Sequence, residues 1–143
     1  MGIVLDSALL IAAERGGFDL ARFLATHSSQ PIYLAAITAS ELLHGCERAN
    51  DPQIRARRVR FVEGVLQDYT VLPFALYEAR EHARIWAQLE VQGNIIGERD
   101  LQIAATAVSG KHSIATLNRR EFERVPGLVL VDVVPFALQP RQH

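Results

Sequence analysis

Residues 1–10 read MGIVLDSALL, a short apolar run that ends on the carboxylate Asp6 before a second apolar stretch begins. Residues 3–5 predict a buried strand and residues 7–14 a helix that ends before Gly16 and Gly17. Similar apolar runs predict further strands at 32–36, 69–72, 113–116 and 128–133, with helices at 38–50, 52–67, 76–92, 98–109 and 119–124 between them. The strands are continuous apolar runs, which is typical of a parallel sheet covered by helices on both faces.

The composition limits the kind of protein this is. A chain of 143 residues with 49% hydrophobic residues predicts one packed domain. Its 15 basic and 16 acidic residues give a net charge of -1, so any binding of nucleic acid needs a local basic surface. The single cysteine, Cys46, excludes an internal disulfide and is typical of a reducing cytosol. With no signal peptide and no long apolar stretch, we expect a cytoplasmic protein that does not interact with a membrane.

Four acidic residues lie where predicted helices begin. Asp6, Glu41 and Glu121 each follow a predicted strand by a few residues, and Asp100 follows a turn. In an open parallel sheet, the loops beyond the carboxyl ends of the strands form the functional edge, so the four carboxylates can meet in one cleft. Such carboxylates repel one another unless a cation such as Mg²⁺ or Mn²⁺ lies between them. The pattern indicates a metal site.

Helix capping is the alternative explanation for the same four acids. Thr38-x-x-Glu41 has the pattern of a capping box, and Asn118-x-x-Glu121 resembles one. Asp6 and Asp100 lie where a helix macrodipole favours an anion in any case. The two explanations are compatible, because a helix N-terminus can also hold a carboxylate in place for a metal ion.

Four segments in this order resemble PIN-domain proteins, and within them the VapC-like toxins of bacterial toxin–antitoxin pairs. They are IVLDSALL (3–10), ITASELLHG (37–45), IGERDLQIAATAVSG (96–110) and IATLNRREFERVPGLVLVDV (114–133). The resemblance implies a three-layer α/β/α fold with a central parallel sheet of four to five strands flanked by helices. It also implies that residues 1–143 form a single PIN domain.

The resemblance implies a metal-dependent endoribonuclease that uses Mg²⁺ or Mn²⁺. Asp6, Glu41 and Asp100 match the three core acidic ligands of the family. Glu121 is expected to be the fourth catalytic and metal-binding acid, although Asn118 stands where many relatives have an acid and the choice between the two stays open. Thr116, Asn118 and Ser7 are expected to support the site.

The resemblance also implies partners: an RNA substrate, a cognate VapB-like antitoxin that binds a groove at the helical hairpin of residues 38–67, and a second copy of the chain in a homodimer. Arg119 and Arg120 flank the expected site and are predicted to contact RNA phosphates. The arginines between residues 55 and 60 either contact RNA or form a solvated helix face.

Other functions fit less well. A phosphatase of the haloacid-dehalogenase type would need a second Asp two residues after Asp6, where Ala8 stands. A nucleotide-binding Rossmann domain would need a glycine-rich first turn, which is absent. A PIN-like module that binds RNA or a partner without cleaving is the remaining alternative, and an Asp6→Asn variant would distinguish it from a nuclease.

Overall fold

The computed structural model describes residues 1–139 and contains a four-stranded parallel sheet. The strands are β1 (Ile3–Leu5), β2 (Ile32–Ala35), β3 (Thr70–Leu72) and β4 (Ser113–Ala115), in the order β3-β2-β1-β4. The helices are α1 (Ser7–Glu14), α2 (Leu20–Thr26), α3 (Ala36–Arg48), α4 (Pro52–Asp68), α5 (Leu76–Gln92), α6 (Glu98–Ser109) and α7 (Arg119–Phe122), followed by a 3₁₀ turn at Val134–Phe136. No helix within residues 1–139 has the length and apolar character needed to cross a membrane.

A hydrophobic core lies on each face of the sheet. Ile3 and Leu5 of β1 pack into one core with residues of α1, α2 and α4, whereas Val4 packs into the other with residues of α5 and α6. All three side chains of β1 are fully buried. Because both faces of a central parallel strand are covered, its residues are apolar without alternation, as the sequence indicates. The predicted three-layer α/β/α arrangement is confirmed.

Local signals explain where the longer helices begin and end. The carboxylate of Asp51 accepts hydrogen bonds from the backbone N–H groups of Gln53 and Ile54, which caps the start of α4. Gly93 ends α5 with φ = 70°, a left-handed conformation that favours glycine. Both α5 and α6 have the bounds that the sequence predicts.

Two parts of the fold differ from the sequence prediction. The run 128–133 does not form a fifth strand, because only Leu130 makes a bridge to Ile114 of β4. The chain then turns at Asp132, whose carboxylate accepts a hydrogen bond from the backbone N–H of Val134. Helix α2 was not predicted, although Asp19 caps it by accepting from the backbone N–H of Arg22.

Candidate active site

The carboxyl ends of β1 and β4 place two polar side chains together. The register pairs Leu5 with Ala115, so the next residues, Asp6 and Thr116, lie side by side at the same sheet edge. Thr116 Oγ1 donates to Asp6 Oδ2 at 2.7 Å and accepts from the backbone N–H of Asn118 at 2.8 Å. Asp6 is only 2% exposed, and this burial raises its pKa, while the Thr116 hydrogen bond opposes the rise. The threonine therefore orients a buried carboxylate.

Ser7 links the first acid to the second. Its hydroxyl lies 3.4 Å from Asp6 Oδ1 and 3.4 Å from Glu41 Oε1, and it can donate its proton to either oxygen. Burial raises the pKa of Glu41, the nearby guanidinium of Arg99 lowers it, and Asp6 raises it further. These contacts bring the start of α1 and the second turn of α3 into one cluster.

Asp100 lies in the first turn of α6, and the other three acids affect its pKa. Burial raises its pKa to about 6, and the charges of Asp6, Glu121 and Glu41 each contribute to the rise. The amide of Asn118 donates to Asp100 Oδ2 at 3.3 Å. Asp100 therefore lies near enough to the other three carboxylates for each of their charges to act on it, and Asp6 acts in the same way on Glu41.

The capping explanation fails for Glu41 and Glu121, whereas at Asp6 the backbone of Ser7 and Ala8 at the start of α1 still lowers the pKa of the carboxyl group. Helix α3 begins at Ala36 rather than Thr38, with no side-chain cap, and the hydroxyl of Thr38 is buried without a hydrogen-bond partner within the described chain. Asp6 and Asn118 occupy N-cap positions, of α1 and α7, but neither makes a side-chain capping bond. Their side chains are directed to the acidic cluster instead.

The arginines around the cluster are arranged differently from the sequence expectation. Arg119 donates to the carbonyl of Val131 at 3.1 Å and pairs with Glu123, so it is engaged outside the acidic cluster. Arg120 is exposed. The sequence reasoning missed Arg99, whose Nη1 lies 3.8 Å from Glu41 Oε2. The only sequence signal for Arg99 was its position directly before Asp100. RNA contacts by Arg119 and Arg120 remain predictions.

The four acids do not form a closed metal cage. Within residues 1–139, no three His, Cys, Asp or Glu side chains are already arranged to hold one metal ion between them. The cluster offers oxygen donors only, and like charges are close together. Mg²⁺ prefers oxygen donors, keeps several of its waters and needs only one or two carboxylates from the protein. The donor set therefore fits a partly hydrated Mg²⁺ or Mn²⁺ ion.

Residues 3–128 match the PIN domain. Among curated proteins, the chain is 37% identical over 133 residues to Ribonuclease VapC1 of Rickettsia felis, an alignment that covers 93% of this chain and 97% of that protein. It is 34% identical over 99 residues to the tRNA(fMet)-specific endonuclease VapC of Salmonella typhimurium, covering 69% and 73% of the two chains. The chain therefore belongs to the PIN-domain family and, within it, to the VapC ribonucleases.

Solved structures agree with this assignment. The DNA-bound VapBC of Salmonella typhimurium superposes with a TM-score of 0.81 at 28% identity, covering 92% of this chain and 98% of that one. The fold, family and enzyme class predicted from the sequence are thus confirmed, whereas the roles of individual site residues remain predictions.

Proposed function

We propose that this protein is a divalent-metal-dependent endoribonuclease that hydrolyses RNA phosphodiester bonds at the cluster of Asp6, Glu41, Asp100 and Glu121. The observation that carries the proposal is the placement of Asp6 and Asp100 together, since Thr116 donates to Asp6 and Asn118, two residues further along the chain, donates to Asp100. Repulsion from Asp6, Glu121 and Glu41 contributes to the raised pKa of Asp100, and pKa values perturbed in this way cluster at functional sites. A cation between the carboxylates relieves this repulsion, and in a nuclease such a cation can polarise the phosphate oxygens and activate water.

Each acid has a proposed task. Asp6 and Asp100 would hold the main Mg²⁺ or Mn²⁺ ion, and Glu41 and Glu121 would hold a second ion or orient the attacking water. A divalent ion in this position supplies positive charge to the phosphate oxygens and lowers the pKa of water for attack. The protein itself needs no nucleophilic side chain for this hydrolysis.

Neighbouring side chains keep the acids in place before the substrate arrives. Thr116 fixes one oxygen of Asp6, which leaves the other directed toward Ser7. Asn118 donates to Asp100, so a neutral amide supports that carboxylate without adding a fifth negative charge. This arrangement favours Glu121 as the fourth acid and Asn118 as a support.

We further propose the partners of this enzyme. The related solved complexes are named VapBC, so a VapB-like antitoxin is the proposed inhibitor. A groove between α1, α3 and α4 is lined by Ile11, Glu14, Phe61 and Glu41. It reaches an acid of the cluster, so a peptide bound there can restrict access to the site. A homodimer, a cytoplasmic location and a single domain over residues 1–143 complete the proposal.

The direct test is RNA cleavage by the purified chain, free of antitoxin. Total bacterial RNA and tRNA(fMet), the substrate named for one relative, are incubated with Mg²⁺, with Mn²⁺ or with EDTA. We expect discrete fragments that require metal and that disappear with Asp100→Asn. Glu98→Gln is the matched control, since Glu98 lies in the same helical turn but pairs with His82. It should still cleave.

Two results would contradict the proposal. Metal-independent cleavage by this chain that survives in Asp100→Asn would show that the acidic cluster is not the catalytic site. Folded wild-type protein that binds RNA but cleaves none of it with either metal would favour the non-catalytic binding module.

A further inference from the structure

Arg99 is the loosely held cation of the acidic cluster. It is the second residue of α6 and directly precedes Asp100. Its Nη1 lies 3.8 Å from Glu41 Oε2, which is too far for a hydrogen bond, and 69% of its side chain is exposed. An exposed ion pair at this distance contributes little to stability. The guanidinium is therefore able to leave Glu41 at low cost.

Two other arginines near the site, Arg124 and Arg119, are anchored by backbone carbonyls. Arg124 Nη1 donates to the carbonyl of Ile95 at 3.0 Å and lies 3.9 Å from Glu121 Oε1. Arg119 is held by the carbonyl of Val131. A backbone carbonyl fixes each of these guanidinium groups, whereas Arg99 makes a weak pair with the side chain of Glu41 at 3.8 Å. Of the three, Arg99 has the greatest freedom to follow a ligand.

The cluster creates a need for such a cation. Four carboxylates repel the phosphates of an approaching RNA, and the net charge of -1 provides no general attraction. A guanidinium can donate two parallel hydrogen bonds to the oxygens of a phosphate. A metal ion bound by the carboxylates does not provide such hydrogen bonds. Arg99 is placed at the edge of the cluster where this contact is required.

We propose that Arg99 is a substrate-binding residue. When metal and RNA bind, its guanidinium leaves Glu41 and binds an RNA phosphate. This inference rests on the proposed ribonuclease function. In the free protein, Arg99 offsets the charge of Glu41. In the complex, where Glu41 would help to hold the divalent cation, the guanidinium of Arg99 binds an RNA phosphate at the edge of the cluster.

The proposal makes opposite predictions for two ligands. Arg99→Gln removes a positive charge beside Glu41, so Mn²⁺ should bind about fivefold more tightly in the absence of RNA. The same change removes a phosphate contact, so RNA should bind about tenfold more weakly. A residue that only stabilises the fold would weaken both or change neither.

The chain offers a closely matched control. Arg84 on α5 is 55% exposed, and its Nη2 lies 2.8 Å from Glu81 Oε2 in the same helix. Arg84→Gln therefore removes the same charge from an exposed ion pair that involves none of the four acids. Arg99→Lys is the second variant, because it keeps the charge but loses the two-pronged geometry, and it should recover part of the RNA affinity.

The experiment combines three measurements on wild type, Arg99→Gln, Arg99→Lys and Arg84→Gln. Calorimetry gives the Mn²⁺ affinity, and fluorescence anisotropy with a labelled, non-hydrolysable RNA analogue in Mn²⁺ gives the RNA affinity over a series of salt concentrations. Cleavage kinetics in Mg²⁺ give kcat and KM. For Arg99→Gln we expect tighter Mn²⁺ binding, a salt slope smaller by about 0.7, and a KM about tenfold higher with little change in kcat.

The outcomes separate this inference from the proposed function. Equal losses of RNA affinity in Arg99→Gln and Arg84→Gln, or weaker Mn²⁺ binding in Arg99→Gln, would overturn the role of Arg99 while wild-type cleavage leaves the nuclease intact. Wild-type protein that binds RNA without cleaving it would overturn the nuclease, and the salt slope would still decide the role of Arg99. Failure of the wild type to bind RNA would overturn both.

Discussion

Replacing Asp100 by Asn should make the metal-free protein more stable while abolishing its activity. The raised pKa of Asp100 means that its ionised form is unfavourable in the native state, chiefly through burial and then through Asp6, Glu121 and Glu41. An amide of nearly the same shape removes the charge and can accept the hydrogen bond from Asn118. The substitution therefore relieves repulsion without leaving a cavity.

The structure sets the size of this gain. A rise of the pKa from 3.8 to about 6 corresponds to at most about 3 kcal/mol at neutral pH. Asp100 is only partly buried, so solvent screens part of this energy, and we expect about 1–2 kcal/mol. In a domain of this size, the Tm in EDTA should increase by about 3–8 °C.

The pH dependence gives the sign of the effect. The native carboxyl group binds its proton up to about pH 6, whereas the unfolded one releases it near pH 3.8. The wild type therefore loses stability as the pH rises from about 4 to 6, and above that range the loss is complete. The stability difference between Asp100→Asn and wild type should vanish below pH 4 and be full above pH 6.

Urea unfolding in EDTA at several pH values measures this difference. Glu98→Gln is the control, because Glu98 pairs with His82 at 3.0 Å and its negative charge favours the start of α6. That variant should be slightly less stable than wild type. If Asp100→Asn is also less stable at pH 7.5, the carboxylates are not crowded in solution, and the argument for a cation site at the cluster fails.

Two further predictions concern stability. Thr116→Val removes the 2.7 Å hydrogen bond to buried Asp6, so urea unfolding should show a loss of about 1–3 kcal/mol in the free energy of unfolding. Thr116→Ser keeps the hydroxyl and should lose much less. Equal losses in the two variants would show that the hydroxyl does not orient Asp6. Asp51→Ala removes the acceptor for the backbone N–H groups of Gln53 and Ile54, so the free energy of unfolding should fall by about 1 kcal/mol while RNA cleavage is unchanged. Asp51→Asn keeps a capping side chain and should be nearly as stable as wild type. A drop in cleavage by Asp51→Ala at a temperature where it is folded would show that α4 contributes to the site.

The parts of the fold that the sequence predicts well have strong local signals. Helices α5 and α6 are long, carry a sustained apolar stripe and end at Gly93 and Gly110. Helix α2 has only seven residues, too few for a clear period, and its main signal is the cap at Asp19. The run 128–133 is apolar like a strand, but its leucines Leu128 and Leu130 serve mainly to cover the core beside β4.

The part of the site that lies at the ends of paired strands was predictable from the sequence, whereas the error at Thr38 came from a wrongly placed helix start. Asp6 and Thr116 follow paired strands, so their proximity follows from a parallel sheet. The capping box at Thr38 was wrong because α3 begins two residues earlier, at Ala36, which makes Thr38 an internal helical residue. The pair of Arg99 with Glu41 joins two helices that are distant in sequence, so no local pattern could indicate it.

The wide spacing of the four acids along the chain has a consequence for translation. Asp6 and Glu41 precede the long helix α5, whereas Asp100 and Glu121 follow it. A nascent chain that has left the ribosome only as far as α5 carries half of the acids and lacks β4, the strand that positions Asp6 through Thr116. On the proposed assignment of the site, cleavage of RNA near the ribosome requires that Asp100, β4 and Glu121 have also been synthesised and folded onto the first half of the sheet.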